Sequence, residues 1–142
     1  MSVKFFAVDE AERLIPKLEQ ILLTLMENRK SAIEISDELL RMQKEVKSKN
    51  AKSVDASDLV NKKTELDFLI RIINEGLDSI AEMGAQPKDL DVGLVDFPTM
   101  LDGEMVLLCW KLGEKEINYY HGITDGYARR KPLIRNKQSG LH

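Results

Sequence analysis

A chain of 142 residues with 43% hydrophobic and 32% charged residues falls in the range of one soluble domain, long enough to bury a core without disulfides or a structural metal. Its 21 basic and 24 acidic residues leave a net charge of −3, which argues against a whole-surface nucleic-acid binder. A single Cys excludes an internal disulfide and fits a reducing compartment. The acids within the first ten residues leave no apolar run for a signal or membrane helix, so the expected location is cytoplasmic, with no membrane partner.

The first element expected is a helix over residues 9–49. Ala11, Leu18, Leu25, Ala32, Leu39 and Val46 recur every seventh residue, and Leu14, Ile21, Ile35 and Met42 fill a second seam three residues later. Such a rod, roughly 40 residues long, would span about 60 Å. Asp9 with Glu12 resembles a capping box at its start, and Pro16 should kink it by removing a backbone donor. Asn28 interrupts the second seam and is read either as a register-fixing polar residue or as a solvated one.

Residues 47–57 form a polar turn. A second helix opens near Asp55 or Ser57 and ends at Met83, its stripe carried by Leu59, Leu66, Leu69, Ile73 and Ile80, with Gly84 and Pro87 as stop signals. Gly76 on that stripe would permit a close approach. A short connection between two such helices implies an antiparallel hairpin.

Beyond residue 90 the hydrophobic period changes from helical to alternating. Residues 94–101 lead into Asp102-Gly103, a two-residue hairpin signal, followed by strands over 105–111 and 116–121. Met105, Leu107 and Cys109 should face one side, with Val106, Leu108 and Trp110 on the other; both faces are apolar, which predicts a central strand. Pro98 places the first strand on the rim. The expected fold class is therefore α+β in a single domain over 1–142. It comprises a long, coiled-coil-like antiparallel helical hairpin (9–84), a three-stranded antiparallel β-meander (90–133) and a flexible tail (134–142).

Several of these segments resemble a family of small prokaryotic proteins defined as a domain of unknown function. The resemblance rests on Phe6, Ala11 and Pro16 in the opening, on Gly93-Leu94-Val95-Asp96-Phe97-Pro98, and on Cys109-Trp110-Lys111-Leu112-Gly113-Glu114. Tyr120-His121, Gly126, Arg130, Pro132 and Leu133 follow in register, while the helical middle matches only in pattern. Ala7 stands where the family tends to have a capping Thr, Tyr120 where it often has Trp, and Lys111 where it usually has Arg. The family has no established activity, so the resemblance implies membership without a mechanism.

Residues 93–132 hold the one Trp, the one Cys, all three Tyr and the internal His, and the binding candidates come from them: Asp96, Trp110, Glu114, His121 and Arg130. An imidazole oriented by a carboxylate serves as a base or a ligand; a lone internal His without HxxxH or CxxC spacing gives no metal motif, and no cofactor is expected. The alternative for His121 is a structural residue bonded to backbone, for Asp96 a turn cap, and for Glu114 a solvated side chain. Cys109 among Leu107, Leu108 and Trp110 is expected to be buried with a raised thiol pKa, unsuited to nucleophilic attack.

Three functions are open at this point. The first is an interaction or assembly module that homodimerises through its hairpin, since Ile15, Leu22, Val60, Ile70 and Leu77 extend the apolar surface beyond one seam; another protein partner is also compatible. The second is a small-ligand-binding protein or metal-assisted enzyme around His121. It predicts that Asp96, Glu114, His121 and Arg130 converge on one pocket. The third is anion or nucleic-acid binding through Arg129, Arg130, Lys131, Arg135 and Lys137, disfavoured by the shortage of interleaved aromatic residues.

Overall fold

The computed structural model describes residues 3–48 and 55–134, and its fold is α+β, with helices in the N-terminal half and an antiparallel five-stranded sheet in the C-terminal half. Helix α1 (Val8–Arg13) is followed by α2 (Ile15–Lys47) and α3 (Ala56–Glu82). The strands are β1 (Gln86–Asp89), β2 (Leu94–Leu101), β3 (Glu104–Lys111), β4 (Tyr119–His121) and β5 (Lys131–Pro132), and they lie side by side in chain order. Among the described residues no helix is long and apolar enough to cross a membrane. The chain divides into two compact units, one drawn from Met1–Gln20 with Ile80–His142 and one from Ile21–Ser79.

The expected first helix is broken at Leu14, two residues before Pro16, where the Leu14 N–H turns to the Ala11 carbonyl (3.0 Å). This is the disturbance a proline imposes on the turn before it. The start is corrected too. Ala7 occupies the N-cap and its N–H donates to Glu10 Oε1 (3.1 Å), whereas Asp9 pairs with Arg13 (3.0 Å). The first seam is buried from Ala11 through Leu39, but its companion in the first turns is Ile15 and Leu22, not Leu14 and Ile21. Four-then-three spacing keeps a stripe on one side of a helix with 3.6 residues per turn, and the stripe changes companion across Asn28, which is half-buried.

In the unit Ile21–Ser79, Lys62 Nζ lies 3.1 Å from Glu38, and the Leu25 side chain covers Gly76 so closely that a Cβ there would sit 3.1 Å from Leu25 Cδ1. Asp55 starts α3, its side chain accepting from the Ser57 N–H (2.9 Å) and its carbonyl from Leu59. Gly84, at φ +91°, ends α3 as a glycine C-cap, with the Ala85 N–H returning to the Ile80 carbonyl (3.3 Å). Of the polar turn expected over 47–57 and the tail expected over 134–142, residues 49–54 and 135–142 lie outside the described residues.

The sheet has five strands where alternation alone suggested three. β1 and β5 carry no apolar alternation; they exist because β2 and β4 offer them free edges. The Asp102-Gly103 turn is as expected, with φ of 51° and 81° at its two residues, the positive pair of a type I′ hairpin. β3 is central and covered on both faces, Val106 through Trp110 being buried.

β2 is not the rim strand that Pro98 suggested. β1 reaches only as far as Asp96, so at Pro98 that edge of β2 has no neighbouring strand and the missing N–H costs nothing. The N-terminal segment takes the place instead. Phe6 N–H donates to the Pro98 carbonyl (2.8 Å), the Thr99 hydroxyl donates to the Phe6 carbonyl (2.6 Å), and the Phe6 ring meets Phe97 edge-on at 5.2 Å. Burying Phe6, Phe97 and Trp110 contributes roughly 1.5–3 kcal/mol each.

Strand pairing thus gives the sheet two distinct faces. Val95, Phe97, Val106, Leu108 and Trp110 point one way, toward Phe6; Asp96, Pro98, Leu107, Cys109, Tyr119 and His121 point the other.

Candidate functional site

Asp96 lies on β2 directly opposite Cys109 on β3, and His121 ends β4 opposite Leu107, two residues away on the same face. Three adjacent strands therefore bring a carboxylate, a thiol and an imidazole together, with one ligating atom from each lying within 4.8 Å of the others. All three are buried, Asp96 to 1% exposure, Cys109 to 1% and His121 to 3%. They line a cavity of about 120 Å³ whose other walls include Lys88, Asp125 and Tyr127.

The imidazole is oriented by backbone. His121 Nδ1 lies 2.9 Å from the Gly122 carbonyl, and because a carbonyl only accepts, Nδ1 carries the proton in that bond. Nε2 then points at Asp96, 3.0 Å from Oδ2. That distance suits an ion pair, yet among the described residues neither Asp96 oxygen receives an aligned hydrogen bond. His121 Nε2 and the Cys109 thiol are the donors within reach of the carboxylate, and their favourable influence does not make up for its burial. Gly122 is also where Asp125 packs. A Cβ at Gly122 would lie 2.8 Å from Asp125 Oδ2, so a side chain there would have to displace the Asp125 carboxylate.

The electrostatics follow from burial. Loss of water raises the Asp96 carboxyl above the ordinary carboxylate range, and the favourable field of His121 offsets this only in part. Burial likewise pushes the Cys109 thiol up to about 11, helped by the charge of Asp96 and opposed by nearby Arg130. As expected from its neighbours, Cys109 is not an activated nucleophile.

The other candidates form a separate arrangement. Glu114 and Arg130 pair through both guanidinium nitrogens (3.0 and 3.3 Å), and the guanidinium lies over Tyr119 at 3.9 Å and Tyr127 at 4.3 Å. Burial opposes the Arg130 charge, but Glu114 outweighs it and holds the pKa above its usual value. Glu114 also accepts from the Lys111 N–H (2.8 Å), and its carbonyl accepts from Trp110 Nε1 (2.8 Å). Trp110 itself points to the opposite face and is fully buried.

The four side chains expected to converge therefore form two pairs, and only Asp96 and His121 reach the cavity. The Glu114–Arg130 pair instead fixes the 3₁₀ turn Tyr127–Arg129, whose Tyr127 closes one side of that cavity. Of the basic run, Arg129 faces Asp125 (3.8 Å), Arg130 is taken by Glu114, and Arg135 and Lys137 lie outside the described residues.

Cys109 is the member of the cluster that the list of binding candidates lacks. The signal for it was present in the hairpin. Counting outward from Asp102-Gly103 pairs Leu101 with Glu104 and, five positions further, Asp96 with Cys109.

No curated protein and no solved structure matches the chain. Residues 4–133 match the family described as Uncharacterized conserved protein (DUF2203), spanning α1 to α3, the whole sheet and the Asp96, Cys109 and His121 cluster, and the chain belongs to that family.

Proposed function

We propose that the chain is a small-ligand-binding protein whose site is the buried Asp96–His121 pair, on the sheet face opposite Phe6. The observation that carries this reading is the Asp96 carboxylate, 1% exposed, without an aligned donor among the described residues and bordering a cavity. A buried acceptor left in that state costs roughly 1–3 kcal/mol. A bound cation would recover that cost.

The test is thermal unfolding of the full chain with Mg²⁺, Ca²⁺, Mn²⁺, Zn²⁺ or methylammonium in excess. At least one of these cations should raise the midpoint, a ligand at 100 times its Kd being worth about 2.7 kcal/mol. Asp96→Asn should abolish the rise. If no cation shifts the wild type, or the variant shifts equally, the reading fails.

A second reading, homodimerisation as an assembly module in a reducing cytoplasm, is favoured by a different observation. Leu23, Leu40, Val60 and Phe68 on α2 and α3 are each at least half exposed, and Leu39, Leu40, Leu59 and Val60 line a groove of about 410 Å³. This reading takes α2 and α3 as an antiparallel, coiled-coil-like hairpin. Its support is that the contacts Glu38 to Lys62 and Leu25 to Gly76 run in opposite order along the two helices. Ile15 and Leu22 drop out of the docking surface, being buried within the chain itself. Light scattering at micromolar concentration should give twice 16.2 kDa, and Leu40→Lys with Val60→Lys should halve it. A wild-type mass of one chain sinks this reading.

A further inference from the structure

We infer that Asp96, Cys109 and His121 bind one divalent transition-metal ion, zinc being the best match, with a fourth coordination position open toward the cavity. The inference rests on the ligand-site reading above and names its ligand.

Geometry comes first. Zinc bonds of about 2.0–2.3 Å in a tetrahedral site place neighbouring ligand atoms roughly 3.3–3.8 Å apart. The three side chains offer one atom each within 4.8 Å, with His121 Nε2 and Asp96 Oδ2 at 3.0 Å. Adjustments within side-chain rotation therefore bring them to bonding positions. All three come from neighbouring strands of one sheet, and the central strand β3 is covered on both faces. Backbone of this kind holds ligands more tightly than loops do.

The second argument is the arrangement around the ligands. A metal-binding His ordinarily donates its other ring N–H to a carbonyl or carboxylate, which fixes the tautomer and aims the free nitrogen at the ion. His121 does this with Gly122, leaving Nε2 to face Asp96. Independently, the Asp96 carboxylate is buried with two oxygens lacking aligned donors, as a metal ligand without its ion would be.

Chemistry selects the ion. A single thiolate, imidazole and carboxylate form a mixed set that suits borderline Zn²⁺, Co²⁺ or Fe²⁺ and disfavours Mg²⁺ and Ca²⁺, which take oxygen ligands. Three protein ligands leave one position of a tetrahedron free. On the cavity side there is room for several waters, with Lys88, Asp125 and Tyr127 close by. A structural zinc site would be closed by a fourth protein ligand, so this one belongs to the class that holds water or a small substrate.

Cobalt(II) titration of chelator-stripped, full-length protein under reducing conditions tests the assignment. One equivalent should give intense visible bands of a four-coordinate ion and a thiolate-to-cobalt charge-transfer band, both displaced by Zn²⁺. Cys109→Ser should remove the charge-transfer band. Asp96→Asn and His121→Ala should weaken affinity by more than the roughly 10–100-fold typical of a change behind the ligands.

Because a variant can fail to fold, X-ray absorption of the zinc-loaded wild type supplies the second measurement. One sulfur at about 2.3 Å with nitrogen and oxygen at about 2.0–2.2 Å supports the set. Absence of sulfur, or a charge-transfer band surviving in Cys109→Ser, overturns it. If Mg²⁺, Ca²⁺ or methylammonium stabilises the protein while Co²⁺ and Zn²⁺ do not bind, the metal inference fails and the ligand site stands; if nothing binds, both fail.

Discussion

Replacing Asp96 by Asn is expected to stabilise the chelator-stripped protein at pH 8 by about 1–3 kcal/mol, the cost of a buried acceptor without donors. The reason is that Asp96 is nearly inaccessible and, among the described residues, receives no aligned hydrogen bond. Its carboxyl is held above the ordinary value of 3.8, chiefly by burial. The folded state therefore binds that proton more tightly than the unfolded chain does. Its contribution to stability is complete below the unfolded pKa and is lost as pH rises through the folded one.

Urea unfolding of both proteins at several pH values should show curves that meet in acid and separate toward neutrality, with the variant the more stable. Addition of Zn²⁺ should invert their order, since only the wild type retains the full ligand set. An Asn variant less stable than wild type at every pH, with or without metal, would mean that the carboxylate has a structural partner. The sign of the difference thus separates a residue kept for binding from one kept for folding.

Trp110→Ala should cost about 3–5 kcal/mol, the largest single loss expected in the sheet. The side chain is fully buried on the face toward Phe6, and its indole N–H holds the Glu114 carbonyl. Trp110→Phe keeps most of the packing and loses the hydrogen bond, so its cost should stay closer to 0.5–1.5 kcal/mol plus a small volume term, or about 1–2 kcal/mol in all. Circular dichroism is the suitable probe, because the only indole is removed. A loss below about 1 kcal/mol for the Ala variant is incompatible with an indole packed at this density. Both variants should also loosen the turn carrying Glu114, and through Arg130 the turn bearing Tyr127.

The features legible from sequence were those whose cause is local. The first seam from Ala11 to Leu39, the Asp55 start, the Gly84 stop and the Asp102-Gly103 hairpin each depend on residues a few positions apart. β1 and β5 were invisible for the opposite reason: Gln86–Asp89 and Lys131–Pro132 have no strand pattern, and only neighbouring edges make them strands. Pro98 misled because its tolerance depends on where β1 stops.

At the site, His121 and Asp96 were recognisable as a candidate pair by residue type. Cys109 was set aside because burial makes a poor nucleophile, although burial next to a carboxylate and an imidazole is a common setting for a ligand. Glu114 and Arg130 carried charges that suggested a pocket, but each had already found the other.

The pairing of Phe6 with Pro98, and of the Glu12 carboxylate with the Ile117 N–H (2.8 Å), has a consequence for biosynthesis. The sheet unit combines two segments far apart in sequence, Met1–Gln20 and Ile80–His142, whereas Ile21–Ser79 is one stretch. During translation the N-terminal residues must wait for the strands, a delay on the order of ten seconds at roughly 5–20 residues per second. Through that interval Phe6 has no Phe97 or Pro98 to meet, while α2 and α3 can already form. The nascent chain therefore presents its helices before it can close its sheet, which makes the Asp96, Cys109 and His121 cluster form later than the helices that precede it.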